Sequence, residues 1–104
     1  MFKGSDKLIK LSNENFDELI KGRTVLVDFY ADWCGPCRML APVLEEASTK
    51  FDIEIIKVNV DEHEGIAKKY GVMSIPTLIV FENGTEKKRN VGYIDIEGLK
   101  DFIN

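Results

Sequence analysis

TVLVDFYADWCGPC, residues 24 to 37, decides how the rest of the chain is read. Its first seven residues, Thr24 to Tyr30, are β-branched, aromatic or aliphatic with one exception, Asp28. A strand covered on both faces reads this way. The only two cysteines of the chain follow, Cys34 and Cys37, separated by Gly35 and Pro36. From there Cys37, Leu40, Ala41, Leu44 and Ala47 fall at helical spacing, which predicts a helix from Cys34 to about Lys50. Pro42 inside it predicts a kink and a lost hydrogen bond. The cysteine pair therefore stands at a strand-to-helix junction.

That placement suits chemistry better than stapling. Residues three apart on a helix have β-carbons about 5–6 Å apart, and a disulfide needs about 3.5–4.5 Å. A small adjustment opens or closes the bond. As a crosslink it is modest: the loop-entropy expression gives about 2 kcal/mol for so short a ring, against about 4.7 for a 100-residue loop. A helix N-terminus has unpaired N–H groups and the positive end of the macrodipole, and both favour a thiolate, the attacking species in thiol–disulfide exchange. Cys34, outermost, is the expected nucleophile. Cys37, on the apolar stripe of the helix, is expected to be more buried and to attack second. Pro36 is tolerated in a first turn, and Gly35 leaves room for a partner chain beside Cys34. Neither adds a charge to hold the thiolate, which favours a reducing role over an isomerase or an oxidant.

Other readings of the pair fare less well. Zinc takes four ligands as a rule, and this chain offers two thiols and one histidine. His63 reads as a helix-edge residue, so no metal site is expected, short of a zinc shared across a dimer. A non-catalytic binding subunit or folding aid is the alternative from a different class. Its mark would be activity that survives replacement of both cysteines.

The remaining sequence frames the site. Lys7 to Leu11 alternates weakly, as a strand would. Ser12 or Asn13 can cap a helix to about Lys21, with Phe16, Leu19 and Ile20 on one side and Gly22 as its stop. IEIIKVNV, 53 to 60, is a second apolar strand, with Lys57 in its middle. Asp61 with Glu64 resembles a capping box, opening a helix that Gly71 ends. TLIVFE and EKKRNV flank Asn83-Gly84, a two-residue hairpin signal. A last helix starts near Asp95 and carries Ile96, Leu99, Phe102 and Ile103 on one face. The order is βαβαβαββα, an α/β class in which helices between strands favour parallel pairing and the final hairpin makes the sheet mixed.

Composition narrows the function. The chain has 104 residues, a net charge of −4 and 31 % charged residues, as a single globular domain would. An acidic chain is a poor nucleic-acid binder, and its one basic run, Lys87-Lys88-Arg89, reads as a solvated strand face. No apolar stretch approaches the roughly 20 residues of a membrane span. The start, MFKGSDKLIK, shows no apolar leader, so a secretory signal is either absent or already removed, and a cytoplasmic location is the simpler expectation. There a close cysteine pair is more often catalytic or metal-binding than static.

WCGPC after an apolar strand, a later SIPT and a C-terminal VG resemble the thioredoxin family, and the resemblance covers essentially the whole chain. It implies one domain over residues 1–104 with a central five-stranded mixed β-sheet flanked by four helices. It implies that Cys34 and Cys37 cycle between dithiol and disulfide, reducing disulfides in client proteins, with no cofactor beyond that disulfide. A thioredoxin reductase would recharge the pair, and nothing demands more than a monomer. Asp28 would lie beneath Cys37 and take its proton, with Lys57 as its neighbour. On local grounds alone, Asp28 is either buried with a raised pKa or at an edge that reaches water, and Lys57 could simply snorkel to solvent. The Pro76 peptide would be cis and face the cysteines, leaving the Ile75 backbone free to pair with a substrate strand. Trp33, Ile75, Val91 and Gly92 would line an apolar groove, although Trp33 could be only a half-exposed aromatic beside a loop. Tyr30, Met73-Ser74 and Tyr93 depart from the commonest family pattern and bear on partner preference rather than on the redox step.

Overall fold

The apolar run at 24–30 forms the middle strand of the sheet. The computed structural model describes residues 7–104. Its elements are β1 (Leu8–Lys10), α1 (Phe16–Leu19), β2 (Thr24–Tyr30), α2 (Gly35–Lys50), β3 (Glu54–Asn59), α3 (Glu64–Lys69), β4 (Thr77–Glu82), β5 (Thr85–Val91) and α4 (Ile96–Ile103). The expected order and the mixed five-stranded sheet are both present, with strands arranged β1-β3-β2-β4-β5. β1, β3 and β2 are parallel, while β4 runs antiparallel to both β2 and β5. The reading of residues 1–6, as the start of the domain and as free of a leader, lies outside the described residues.

β2 is apolar because it is covered twice. Val25, Val27 and Phe29 pack with Phe16 and Ile20 near α1 and Ala67 of α3. Leu26, one residue out of phase, packs with Leu40, Leu44 and Ala47 of α2 and Leu99 of α4. Side chains alternate along a strand, so Asp28 and Tyr30 share the face of Leu26, toward α2. α2 continues through Pro42 as one helix, at the loss of the bond its missing N–H would have given Arg38.

Turn chemistry holds where glycine or asparagine supplies it. Asn83 and Gly84 have φ of 51° and 82°, the paired positive values of a type I′ hairpin. Asn83 Oδ1 also accepts from the Gly22 N–H at 2.8 Å. Gly71 closes α3 as expected: its N–H donates to Lys68 O at 3.1 Å and the Val72 N–H to Ala67 O at 2.9 Å, the two bonds of a Schellman cap. Asp95 caps α4 by accepting from the Gly98 N–H at 2.8 Å.

Three local expectations are corrected. α1 is a single turn, and its cap is Asn15, not Ser12 or Asn13; Asn15 Oδ1 accepts from the Glu18 N–H at 3.1 Å. The Ser12 N–H instead donates to the Glu14 carboxylate at 2.7 Å. No capping box opens α3, whose N-cap is His63 with no side-chain bond, because the Asp61 carboxylate is engaged elsewhere. The basic run is more than a solvated face. Lys88 Nζ donates to Phe102 O and Asn104 O at the end of α4, while Arg89 donates to Tyr70 O and Gly71 O at the end of α3. Alternation along β5 sends the two cations to opposite faces, each onto a helix C-terminus, where the macrodipole is negative.

Candidate active site

Cys34 is the N-cap of α2. Its backbone is extended, at φ −90° and ψ 115°, and the Cys37 N–H donates to its Sγ at 3.2 Å. The cap bond is the one a serine or aspartate oxygen would make elsewhere, here given to sulfur. Pro36 sits in the first turn, where no N–H is missed, and the Arg38 N–H returns to Cys34 O at 3.1 Å. Cys34 and Cys37 form a disulfide with Cα atoms 5.2 Å apart. Cys37 was expected to be the more buried; instead both residues are 5 % exposed. The oxidised pair shares one small apolar cluster with Tyr30 and Ala31, backed by Val60 and Ile75. Cys34 Sγ lies 3.8 Å from the Ile75 carbonyl oxygen.

Asp28 is buried and in the central strand, so the edge position is excluded. Its register partner across β2–β3 is Lys57, and across β2–β4 it is Leu78. Its Oδ1 has no hydrogen-bond partner. Burial pushes the carboxyl up to about 7, and the positive charge of Lys57 acts against that rise. A carboxyl poised near neutral pH is one that can take and return a proton. Lys57 is half-buried, with its ammonium over the Tyr30 ring at 4.6 Å from the centroid. Cys37, Lys57 and Arg38 wall one cleft of about 180 Å³.

On the other side of the disulfide lies a shallow apolar groove. It has a volume of about 410 Å³ and is walled by Trp33, Val60, Val72, Met73 and Ile75. Trp33 is 68 % exposed, and its Nε1–H donates to Asp61 Oδ2 at 2.8 Å. The Ile75–Pro76 peptide is cis. The Gly92 N–H donates to Pro76 O at 2.8 Å, and Val91 pairs with Thr77. Val91 and Gly92 thus stand beside Pro76 but are not walls of the groove. A larger cleft of about 640 Å³ between α1 and α3 holds none of the expected site residues. His63 Nε2 lies 3.2 Å from the Leu11 carbonyl, which fits a helix-edge residue. Among the described residues no three of His, Cys, Asp and Glu gather as metal ligands would.

Sequence reading placed Met73 where it bears on partner choice but missed Val60, Asp61 and Val72 as parts of this surface. A signal existed for two of them. Parallel strands place ligand sites beyond their carboxyl ends, and β2 and β3 are adjacent and parallel. The residues just past both ends, Ala31 to Cys34 and Val60 to Asp61, therefore meet, as the bond from the Val60 N–H to Tyr30 O at 2.8 Å records.

Comparison with known proteins agrees with the geometry. A family model described as Thioredoxin matches residues 7–104. A thioredoxin of Chlamydia pneumoniae is 50 % identical over 95 residues, covering 90 % of this chain and 93 % of its own. One from Staphylococcus haemolyticus is 46 % identical over 99 residues, covering 93 % and 95 %. Among solved structures, a mutant thioredoxin from Halobacterium salinarum NRC-1 superposes with a TM-score of 0.88 at 38 % identity, covering 99 % of this chain and 93 % of that one. A reduced Schistosoma mansoni thioredoxin pre-protein gives 0.84 at 39 % identity, covering 92 % and 94 %. With a bridged cysteine pair capping a helix beside the central strand, and with relatives this similar along nearly its whole length, the chain belongs to the thioredoxin family and is a protein-disulfide oxidoreductase that works through its own Cys34–Cys37 disulfide.

Proposed function

We propose that this protein is a general protein-disulfide reductase and electron carrier, and that Cys34 is its nucleophile. The Cys34 thiolate attacks one sulfur of a client disulfide. A mixed disulfide forms and the other client sulfur leaves as a thiolate, which takes a proton from water. Cys37 then gives its proton to the Asp28 carboxylate and attacks Cys34 Sγ. The second client sulfur leaves, and the Cys34–Cys37 disulfide remains. Two electrons have passed from the pair to the client. A thioredoxin reductase returns two electrons and two protons to restore the dithiol.

One observation carries this reading: the sulfur of Cys34 occupies the N-cap of α2 and accepts the Cys37 N–H at 3.2 Å. That backbone donor and the helix dipole both favour negative charge on sulfur. Support for the proton acceptor is the buried, unpartnered Asp28 on the face that α2 covers. The groove beside Ile75 and Pro76, with Trp33 at its edge and Gly35 and Pro36 leaving Cys34 approachable, suits an extended client segment. Val91 and Gly92 would flank that segment from the Pro76 side. Such a role fits a monomer working in a reducing cytoplasm.

The test is a reductase-coupled insulin-reduction assay on the full chain. Wild type turns over. Cys37→Ser accumulates a covalent adduct with client, and Cys34→Ser with Cys37→Ser is inert. Free turnover by Cys37→Ser rejects the resolving role, and activity of the double variant rejects the redox reading altogether.

A further inference from the structure

Asp28 and Lys57 face each other in the β2–β3 register, on the side that α2 covers. Cross-strand neighbours of opposite charge usually meet. Here they do not: Asp28 Oδ1 is buried without a hydrogen-bond partner. The Lys57 ammonium is over the Tyr30 ring instead, 4.6 Å from its centroid. Tyr30 follows Asp28 by two residues, so its side chain is on the same face. It is held in the cluster with Ala31, Cys34 and Cys37. Tyr30, Lys57 and Cys37 also wall the same cleft of about 180 Å³.

We propose that Tyr30 is a positioning residue: its ring face holds the Lys57 ammonium off the Asp28 carboxyl and so sets how much of that charge the carboxyl feels. An ammonium over an aromatic face gains from the negative quadrupole of the ring, and gains most where water is thin. While Asp28 carries its proton it offers no charge to draw Lys57 away. Ring and carboxylate therefore compete for one cation. The other charged or titratable groups nearby are Cys37 and Arg38 on α2 and Asp32 in the preceding loop, with Lys10 on β1, the register partner of Lys57, and Glu62, whose carboxylate accepts from Lys10. β4 contributes only Leu78. With the ring gone, Lys57 is free to approach the carboxyl, and an opposite charge within about 4–6 Å lowers a carboxyl pKa by about 1–3 units.

The inference rests on Asp28 as proton acceptor for its bearing on the reaction, but its test does not. The Asp28 carboxyl is titrated directly by carbon-13 NMR in the reduced full-length protein. Tyr30→Leu should lower the midpoint by about one pH unit or more, about tenfold in the ratio of ionised to protonated carboxyl. Tyr30→Phe, which keeps the ring face, should leave it in place. In a Lys57→Met background Tyr30→Leu should produce no further shift. An unmoved midpoint in Tyr30→Leu overturns the proposal. So does an equal fall in the Lys57→Met background, since the ring would then act only by excluding water. Should Tyr30→Leu fail to fold, Tyr30→Met carries the same test. The pH profile of the resolving step separates the two claims. A profile that tracks the NMR midpoint supports both, whereas a midpoint that moves under a fixed profile keeps the role of Tyr30 and rejects Asp28 as the base.

Discussion

Asp28 is the residue on which stability and chemistry pull in opposite directions. Burial raises its carboxyl to about 7. Between the ordinary carboxyl range and that value the folded protein binds one proton more than the unfolded chain. Stability therefore falls as pH rises through this window, from about 4 to about 7, and the loss is complete above it. A shift of that size corresponds to a cost on the order of 4 kcal/mol at pH 8. Asp28→Asn removes the titration. Urea unfolding at pH 5 and pH 8 should show the variant gaining on wild type as pH rises; parallel curves would mean the carboxyl is not desolvated. The anomaly of Asp28 was legible in the sequence, because a lone carboxylate in a doubly covered strand has few benign explanations. The indole clamp was not: Asp61 has a helix-opening pattern of its own, and only the fold brings Trp33 within 2.8 Å of it.

Among the elements, long and strongly patterned ones read true, and the short β1 and α3 read true in place, but the bounds of α1 and the opening of α3 did not. β2, α2, the hairpin and α4 each carry redundant signals: period, length and turn residues agree. α1 is one turn, so its apolar triplet could not fix where it began. β5 shows what a charge run conceals. Lys87, Lys88 and Arg89 are alike in sequence, but the strand sends Arg89 onto the end of α3 and Lys88 onto the end of α4. Arg89→Met should cost about 1 kcal/mol, from lost cap bonds and dipole compensation. Lys87→Met loses only an exposed pair with Glu82 and should stay within about 0.5 kcal/mol of wild type. Equal effects in urea denaturation would return the run to a merely solvated face.

For the molecule as a whole, one short crosslink links redox state to stability. Closing a ring over a sequence separation of three removes little chain entropy. The reduced protein should therefore be less stable by about 2 kcal/mol with an unchanged denaturant slope. A much larger loss, or a changed slope, would mean the dithiol form is not the same fold. That modest linkage lets the pair open and close in place while the sheet carries the structure. The client groove was legible only in part: Met73 stood out as a departure from the family pattern, while Val72 reaches the groove through a loop whose path no local pattern records. Everything functional depends on one sulfur at a helix N-terminus being easily ionised. The decisive measurement is the pH dependence of alkylation of the reduced protein by iodoacetamide, with the modified residue located by peptide mapping. Alkylation should fall on Cys34 and reach half its maximal rate at a lower pH than a cysteine peptide measured alongside. A Cys34 that tracks the peptide, or modification that falls first on Cys37, would contradict the account.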